Sequence, residues 1–376
     1  MAASLPKLFQ PANLGALQLK HRIVLAPLTR YRSSLEHVPT LPLMKEYYTQ
    51  RASTPGTLLF TEATFIAARA GGYPNVPGIW SDEQIAAWRE ITDSVHAAGS
   101  YFFLQLWATG RAADPKQLRK EDASFPYVSA SDVKLQSAEE APRALTVPEI
   151  QEYVGLYEQA AKNAFRAGFD GVEIHAANGY LIDQFTQDVS NKRTDGYGGS
   201  VENRCRFALE ILDAVTRAVG EDRTGIRLSP WSAFQDMGMA DPKPTFTHLV
   251  SQIKKSHPYL AYIHLIEPRI AGDNDKTDSA HGTEASNDFI RDIWRPNPII
   301  SAGGYTRQTA LERAEKDDGE LIAFGRQFLA NPDLPVRMMR NIPANEPNRN
   351  TFYTEGAEGY IDYPFAVGEN ETRAKA

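Results

Sequence analysis

Eight short runs of β-branched, leucine or aromatic residues punctuate the chain, at residues 22–28, 56–63, 101–107, 171–177, 225–230, 261–266, 298–304 and 321–326. Most are nearly continuous in hydrophobicity, the pattern of strands buried on both faces. Between them the period becomes helical. Residues 150–167 place Ile150, Tyr153, Val154, Tyr157, Ala160, Ala161 and Ala164 on one stripe with charges opposite, and residues 207–219 repeat that spacing. Pro148-Glu149 opens the first of these helices in the position that favours proline. Strands alternating with helices imply parallel pairing through crossovers, and eight in one series predict an α/β fold, a (β/α)8 TIM barrel. Ahead of the first strand, residues 13–20 alternate around Gly15 and predict a small β-hairpin capping the barrel bottom. The longest stretch without a strand, residues 111–147, follows the third strand and should lie over the barrel top as a long loop or subdomain. No linker and no repeat divides the chain, which predicts a single domain over residues 1–376.

Composition narrows the partners. With 376 residues, 42% hydrophobic and 23% charged, the chain can bury a large core and still enclose a cofactor, and disorder as the dominant state is excluded. A formal charge of −7 argues against a surface built to coat nucleic acid or an anionic membrane. The lone cysteine, Cys205, excludes an intrachain disulfide and a thiolate cluster, and its setting at the start of a helical pattern predicts a small buried packing residue. No run of eighteen apolar residues and no apolar leader occurs, so the expectation is a cytoplasmic protein.

In this fold, reactive groups sit where strands end and βα loops begin. That rule selects Pro27, Thr29, Gln105, Trp107, His175, Asn178, Tyr180, Arg227, Gly303, Gly304, Gly325 and Arg326. The set contains no paired carboxylates, no Cys–His dyad and no metal-ligand spacing, which leaves two-acid or zinc hydrolysis poorly supported. Polar, neutral groups dominate, and these suit an organic cofactor. Glycine turns after the seventh and eighth strands can bring backbone N–H groups against a phosphate, with Arg326 beside them; alternatively the glycines only permit tight turns. His175, Asn178 and Tyr180 could polarise a carbonyl and protonate the adjacent carbon, or be a satisfied histidine and a packing tyrosine. Arg227, inside an apolar strand, needs either an anionic ligand or a structural salt bridge.

Taken together, these motifs resemble the Old Yellow Enzyme family of FMN-dependent ene reductases. The resemblance runs from Ala26-Pro27-Leu28-Thr29-Arg30 to Gly359-Tyr360-Ile361-Asp362-Tyr363-Pro364, through Gln105-Leu106-Trp107, Gly171-Val172-Glu173-Ile174-His175-Ala176-Ala177-Asn178-Gly179-Tyr180-Leu181 and Arg193-Thr194-Asp195-Gly196-Tyr197-Gly198-Gly199. It implies non-covalently bound FMN, reduced by NADPH and reoxidised in ping-pong fashion by an α,β-unsaturated carbonyl or nitro compound. Thr29 would bond the flavin O4, with Pro27 and Ala63 lining the ring. Gln105 and Arg227 would hold the pyrimidine edge, and Gly303, Gly304, Gly325 and Arg326 the phosphate. His175 and Asn178 would bind the substrate oxygen, Tyr180 would donate the proton, and Tyr73, Trp107, Phe352 and Tyr353 would line the substrate mouth. The expected assembly is a monomer or homodimer, and loops 111–147 and 269–287 should shape the pocket. Ala63 replaces a frequent Gly and Gly304 a frequent Asn. The segment after Trp107 resembles fungal ergot-alkaloid relatives that reduce or isomerise an enal; the isomerising type carries Phe at the Tyr180 position, so Tyr180 favours net reduction.

Overall fold

The computed structural model describes residues 4–272, 274–275, 285–316 and 320–366, and each of the eight predicted runs carries a strand. These are β1 (Ile23–Leu25), β2 (Leu58–Phe60), β3 (Tyr101–Trp107), β4 (Gly171–Ala176), β5 (Thr224–Leu228), β6 (Tyr262–Ile266), β7 (Ile299–Ala302) and β8 (Glu320–Phe324). Each pairs in parallel with the next, from Val24 opposite Leu58 through Ile300 opposite Leu321. Phe324 opposite Leu25 closes the ring. The result is the expected (β/α)8 barrel.

Side chains alternate between two environments, because successive strand residues point to opposite faces. Leu104, Leu106, Val172, Ile174, Ile226, Leu228, Ile263 and Leu265 join the large outer core, which the helices cover. Val24, Leu58, Phe60, Phe103, Tyr262, Ile300 and Leu321 fill the barrel interior together with Leu14, Leu17 and Leu19. Those three leucines belong to the antiparallel hairpin Ala12–Leu14 and Leu17–Leu19, which caps the bottom as predicted. The Ala16 N–H donates to the Asp222 carbonyl and the Lys20 N–H to that of Gly56, fastening the cap to the barrel. Further along the inward faces the character changes. Above the apolar plug come Gln105, Glu173, His175, Arg227 and His264, all on strands β3 to β6. The barrel is therefore greasy at its floor and polar near its open end.

Flanking helices follow from local signals. Val147–Arg166 starts with a capping box in which Thr146 and Glu149 bond each other's backbone N–H groups, and Pro148 lies in its first turn. Its buried face carries the predicted Ile150, Tyr153, Tyr157, Ala160, Ala161 and Ala164, with Val154 half-buried at the edge. Val201–Val219 starts six residues before the predicted 207, because the Ser200 hydroxyl accepts the Asn203 N–H and the polar first turn needs no apolar stripe. Cys205 is buried in this helix, and burial pushes its thiol up to about 12.

Segment 111–147 is a folded excursion. It contains the helix Pro115–Glu121, capped by Asp114, and a two-residue parallel pairing of Val128–Ser129 with Arg143–Ala144. Of the predicted pocket loop 269–287, residues 273 and 276–284 lie outside the described residues. Among the described residues, no helix is long and apolar enough to cross a membrane.

Two glycines make opposite predictions. Gly15 has φ 52°, and a Cβ there would collide with the Asp222 carbonyl; Gly15→Ala should destabilise by about 2 kcal/mol or more. Gly155 lies exposed within Val147–Arg166, where a Cβ meets nothing within 4 Å. There Gly155→Ala should stabilise by about 0.5–1 kcal/mol. Denaturant midpoints that move in the same direction for both would contradict this assignment.

Candidate active site

At the carboxyl ends of the strands the barrel opens into a cavity of about 1220 Å³. Its wall divides into three parts. Gly303, Gly304, Gly325 and Arg326 form one end, Pro27, Thr29 and Arg227 line the middle, and Tyr73, Trp107, Asn178, Tyr180 and Tyr353 surround the mouth. The sequence-predicted groups on eight different strands and loops thus meet at one place. Four predicted residues stand back from the wall. Gln105 and His175 are buried just behind it, with the His175 ring 5.0 Å from that of Tyr180. Ala63 packs among Phe65, Val76 and Trp107. Phe352 is not on the mouth: its ring is buried against Leu329, Ala330 and Leu28, and only Tyr353 beside it is exposed.

The β4 end is built by backbone bonds. Asn178 and Gly179 take φ values of 59° and 73°, turning the chain sharply. The Asn178 N–H donates to Ser229 Oγ at 2.7 Å and the Gly179 N–H to Asp183 Oδ2 at 2.9 Å. Gln184 Nε2 donates to the carbonyls of Gly179 and Thr109 at 2.7 and 2.9 Å, tying this turn to the β3 loop. Asp183 is fully buried, which raises its carboxyl to about 6. Tyr180 stands edge-on to Trp107, centroids 4.8 Å apart.

Electrostatics give each group a definite protonation state. Burial, then the charge of Arg227, then His264, push His175 well below the usual imidazole range, so the ring is neutral. Burial raises the Tyr180 phenol well above its ordinary value, and neighbouring Tyr31 and Tyr353 add to the effect. Glu173 acts on Arg227 through space, while the Arg227 Nε has no partner. Trp107 Nε1, His175 Nδ1 and Asn178 Oδ1 are also buried without a partner. Each such atom costs about 1–3 kcal/mol when left unpaired. Their gathering around one cavity marks a site that a ligand completes.

A planar flavin with a phosphate tail fits these residues. Gly303 and Gly304 have φ values of 132° and 63°, and a Cβ on Gly303 or Gly325 would press on Glu267, Ile270 or Leu28 at 3.0–3.1 Å. Backbone can therefore approach a phosphate closely there, next to the Arg326 guanidinium. Arg227 offers a half-buried cation at the wall, with its Nε enclosed. Among the described residues, no group of three or more His, Cys, Asp or Glu could hold a metal ion.

Several site residues escaped the sequence rule. Gln235 and Asp236, on the loop after β5, line the cavity with φ values of 59° and 55°. Their carbonyls accept from Arg111 Nη2 at 2.9 and 3.2 Å, and Gln235 Nε2 donates to the Asn178 carbonyl at 3.0 Å. Tyr31 packs edge-on to Tyr73 and Tyr353 at 6.4 and 5.6 Å. Glu62, just past β2, accepts the Arg30 N–H at 3.0 Å and so fixes the loop that carries Thr29. Position after a strand end was the available signal for Gln235, Asp236 and Glu62.

Comparison with known proteins agrees with this geometry. The family model described as NADH:flavin oxidoreductase / NADH oxidase family matches residues 7–345. The chain is 53% identical over 365 residues to a chanoclavine-I aldehyde reductase of Penicillium roqueforti, covering 96% of this chain and 97% of that one. It is 49% identical over 368 residues to an NADP-dependent oxidoreductase of Aspergillus flavus, with 96% of each covered. The crystal structure of Old Yellow Enzyme from a Pichia species is similar at TM-score 0.88 and 37% identity, covering 96% of this chain and 94% of that one.

Glu62 gives this site a pH signature. Burial raises its carboxyl from 4.5 to about 7. The folded state therefore keeps a proton that the unfolded chain releases, and stability falls as pH rises between those values and stays lowered above them. The melting temperature of Glu62→Gln relative to wild type should rise with pH between 5 and 8, by the equivalent of about 2–3 kcal/mol. Asp183 titrates alike in both proteins and cancels. A pH-independent difference would show that the Glu62 carboxyl is not perturbed in this way.

Proposed function

Because the chain belongs to the NADH:flavin oxidoreductase / NADH oxidase family, and so is an oxidoreductase of the Old Yellow Enzyme type, we propose that it is an FMN-dependent ene reductase acting on an α,β-unsaturated aldehyde. The observation that carries this reading is the placing of Asn178 and a protonated Tyr180 on the wall of a cavity that Arg227 also lines, with a neutral His175 buried just behind them, its ring 5.0 Å from that of Tyr180. Relatives named as an aldehyde reductase and an NADP-dependent oxidoreductase support an enal substrate and NADPH as reductant.

Pro27, Thr29, Ala63, Gln105 and Arg227 would hold the flavin ring, and Gly303, Gly304, Gly325 and Arg326 its phosphate. FMN, when bound, supplies the hydride chemistry, taking a hydride from a reduced nicotinamide and passing it to an electron-poor carbon. The protein does the rest. His175 and the Asn178 amide donate to the carbonyl oxygen of the substrate, drawing electron density off the β-carbon. Neutral His175 is suited to this, since an imidazolium so near Arg227 would be strongly disfavoured. Tyr180 Oη gives its proton to the α-carbon. Tyr31, Tyr73, Trp107 and Tyr353 present ring surfaces to a flat conjugated substrate and exclude water from it. Both substrates use one mouth in turn, which is why a ping-pong order fits a single cavity.

Tyr180→Phe should slow reoxidation of the reduced protein by an enal about 10²-fold or more. Its anaerobic reduction by NADPH, followed at the flavin absorption band, should change little. Equal slowing of both half-reactions, or of neither, would contradict the proton-donor role. His175→Ala should weaken binding of simple phenols and enals in spectral titrations, and unchanged affinity would remove His175 from the oxygen site.

A further inference from the structure

Inside the barrel, one layer below the reactive groups, Glu173 is 0% exposed and faces inward two residues before His175. Its Oε1 accepts from Gln105 Nε2 at 2.7 Å, and its Oε2 lies 2.8 Å from His264 Nδ1. Register places Gln105 of β3 directly across from Glu173, and Arg227 of β5 directly across from both His175 and His264. Gln105 and His264 therefore contact the carboxylate directly, and Arg227 and His175 stand one inward level above it. Nothing about capping the barrel floor requires it, because Phe60, Phe103 and Tyr262 already fill the interior below.

We infer that Glu173 is a positioning residue for the flavin site, fixing which end of the Gln105 amide faces the cavity and supplying the counter-charge to Arg227. The inference rests on the proposal that FMN occupies the cavity. A carboxylate only accepts hydrogen bonds, so the Gln105 amide must turn its NH2 toward Glu173. Gln105 Oε1 and the second Nε2 hydrogen are then left for a ligand edge that presents one donor and one acceptor. With Glu173 absent, the amide could settle in either orientation. Charge is the second part. A guanidinium in a closed barrel is strongly disfavoured unless compensated, and the negative charge of Glu173 is the largest favourable influence on Arg227. Burial and then the charge of Arg227 push His175 well below the usual imidazole range, and burial lowers His264 as well, against the opposing pull of the Glu173 carboxylate beside it. Arg227 and Glu173 together are nearly neutral, and this limits how strongly the site favours reduced flavin, which is more negative, over oxidised flavin.

The test is Glu173→Gln, which keeps the volume, removes the charge and turns one of the two acceptor oxygens into a donor. In the FMN-loaded protein the variant should favour reduced over oxidised flavin about tenfold more than wild type, a rise of about 30 mV in the two-electron potential, measured by anaerobic dye-linked redox titration. Glu173→Asp keeps the charge, so its potential should stay near that of wild type while its affinity for oxidised FMN, measured by fluorescence, falls as the Gln105 contact lengthens. A Glu173→Gln protein that binds FMN at an unshifted potential overturns the inference, as does a Glu173→Asp potential that moves with Glu173→Gln. Should Glu173→Gln alone not fold, the neutral double variant Glu173→Gln/Arg227→Gln decides: recovery of folded protein supports the pairing, and failure of both overturns it. Wild-type protein that takes up no FMN would instead sink the flavin reading itself.

Discussion

Arg227 carries a positive charge into a closed ring of parallel strands, where an isolated ion would cost several kcal/mol even after relaxation. Much of the upper barrel can be read as the response to that one constraint. Glu173 lies on the neighbouring strand and compensates through space. His175 and His264, the register neighbours of Arg227, are pushed below the usual imidazole range chiefly by burial, with the Arg227 charge adding to the effect. The remaining Arg227 Nε is left without a protein partner. Such an arrangement is only half satisfied by the protein, which is the expected condition of a site completed by a bound group. Below it, the hairpin leucines and the inner aromatic residues keep water out of the floor, so the charges act in a medium where they are strong.

A pair of arginines secures the mouth. Arg30 donates to the carbonyls of Phe352 and Gly359 at 3.0 and 2.8 Å, and Arg32 to those of Phe352 and Thr351, each at 3.1 Å. Both guanidinium groups lie over the Tyr360 ring, at 5.0 and 4.5 Å. The segment carrying Tyr353 is thereby anchored to the chain just beyond Thr29, although more than three hundred residues separate them. Since Glu62 also holds the Arg30 N–H, one loop couples the middle of the cavity to its rim.

What the sequence made legible follows from which constraints are local. A strand buried on both faces reads as a nearly continuous hydrophobic run, so all eight strands could be located from the chain alone. The strand-end rule then recovered Thr29, Asn178, Tyr180, Arg227 and the glycine turns, because the fold fixes where those positions go. Phe352 and Tyr353 were not separable in this way. Two adjacent aromatic residues in a loop have no period to say which faces inward, and Arg30 and Arg32 settle it by gripping the Phe352 carbonyl from the other end of the chain. The folded excursion 111–147 was hidden for a similar reason: Arg111 and Gln184 bind it to distant loops, and its two-residue pairing is too short to leave a pattern. Glu173 stood in plain view two residues before His175, yet the role inferred for it depends on Gln105 and His264, each on another strand.

The perturbed phenol at Tyr180 restricts the order of events. Burial and two neighbouring tyrosines leave it a weaker acid than free tyrosine, so it stays protonated at any physiological pH. A proton held that firmly moves only to a strongly basic centre, and the α-carbon of a conjugated aldehyde is not basic while the double bond is intact. It becomes so once hydride has arrived at the β-carbon and charge has spread between the α-carbon and the oxygen. In the proposed reaction His175 and Asn178 would moderate that charge at the oxygen, which would lower the barrier to hydride arrival but also reduce the basicity of the carbon. Tyr180 must then sit close enough to act without help from an external acid. Its edge-on packing against Trp107 and His175, at 4.8 and 5.0 Å, holds the ring in place for that purpose. Under the proposed function, hydride first and proton second is thus the sequence that this weak, rigidly held acid would permit.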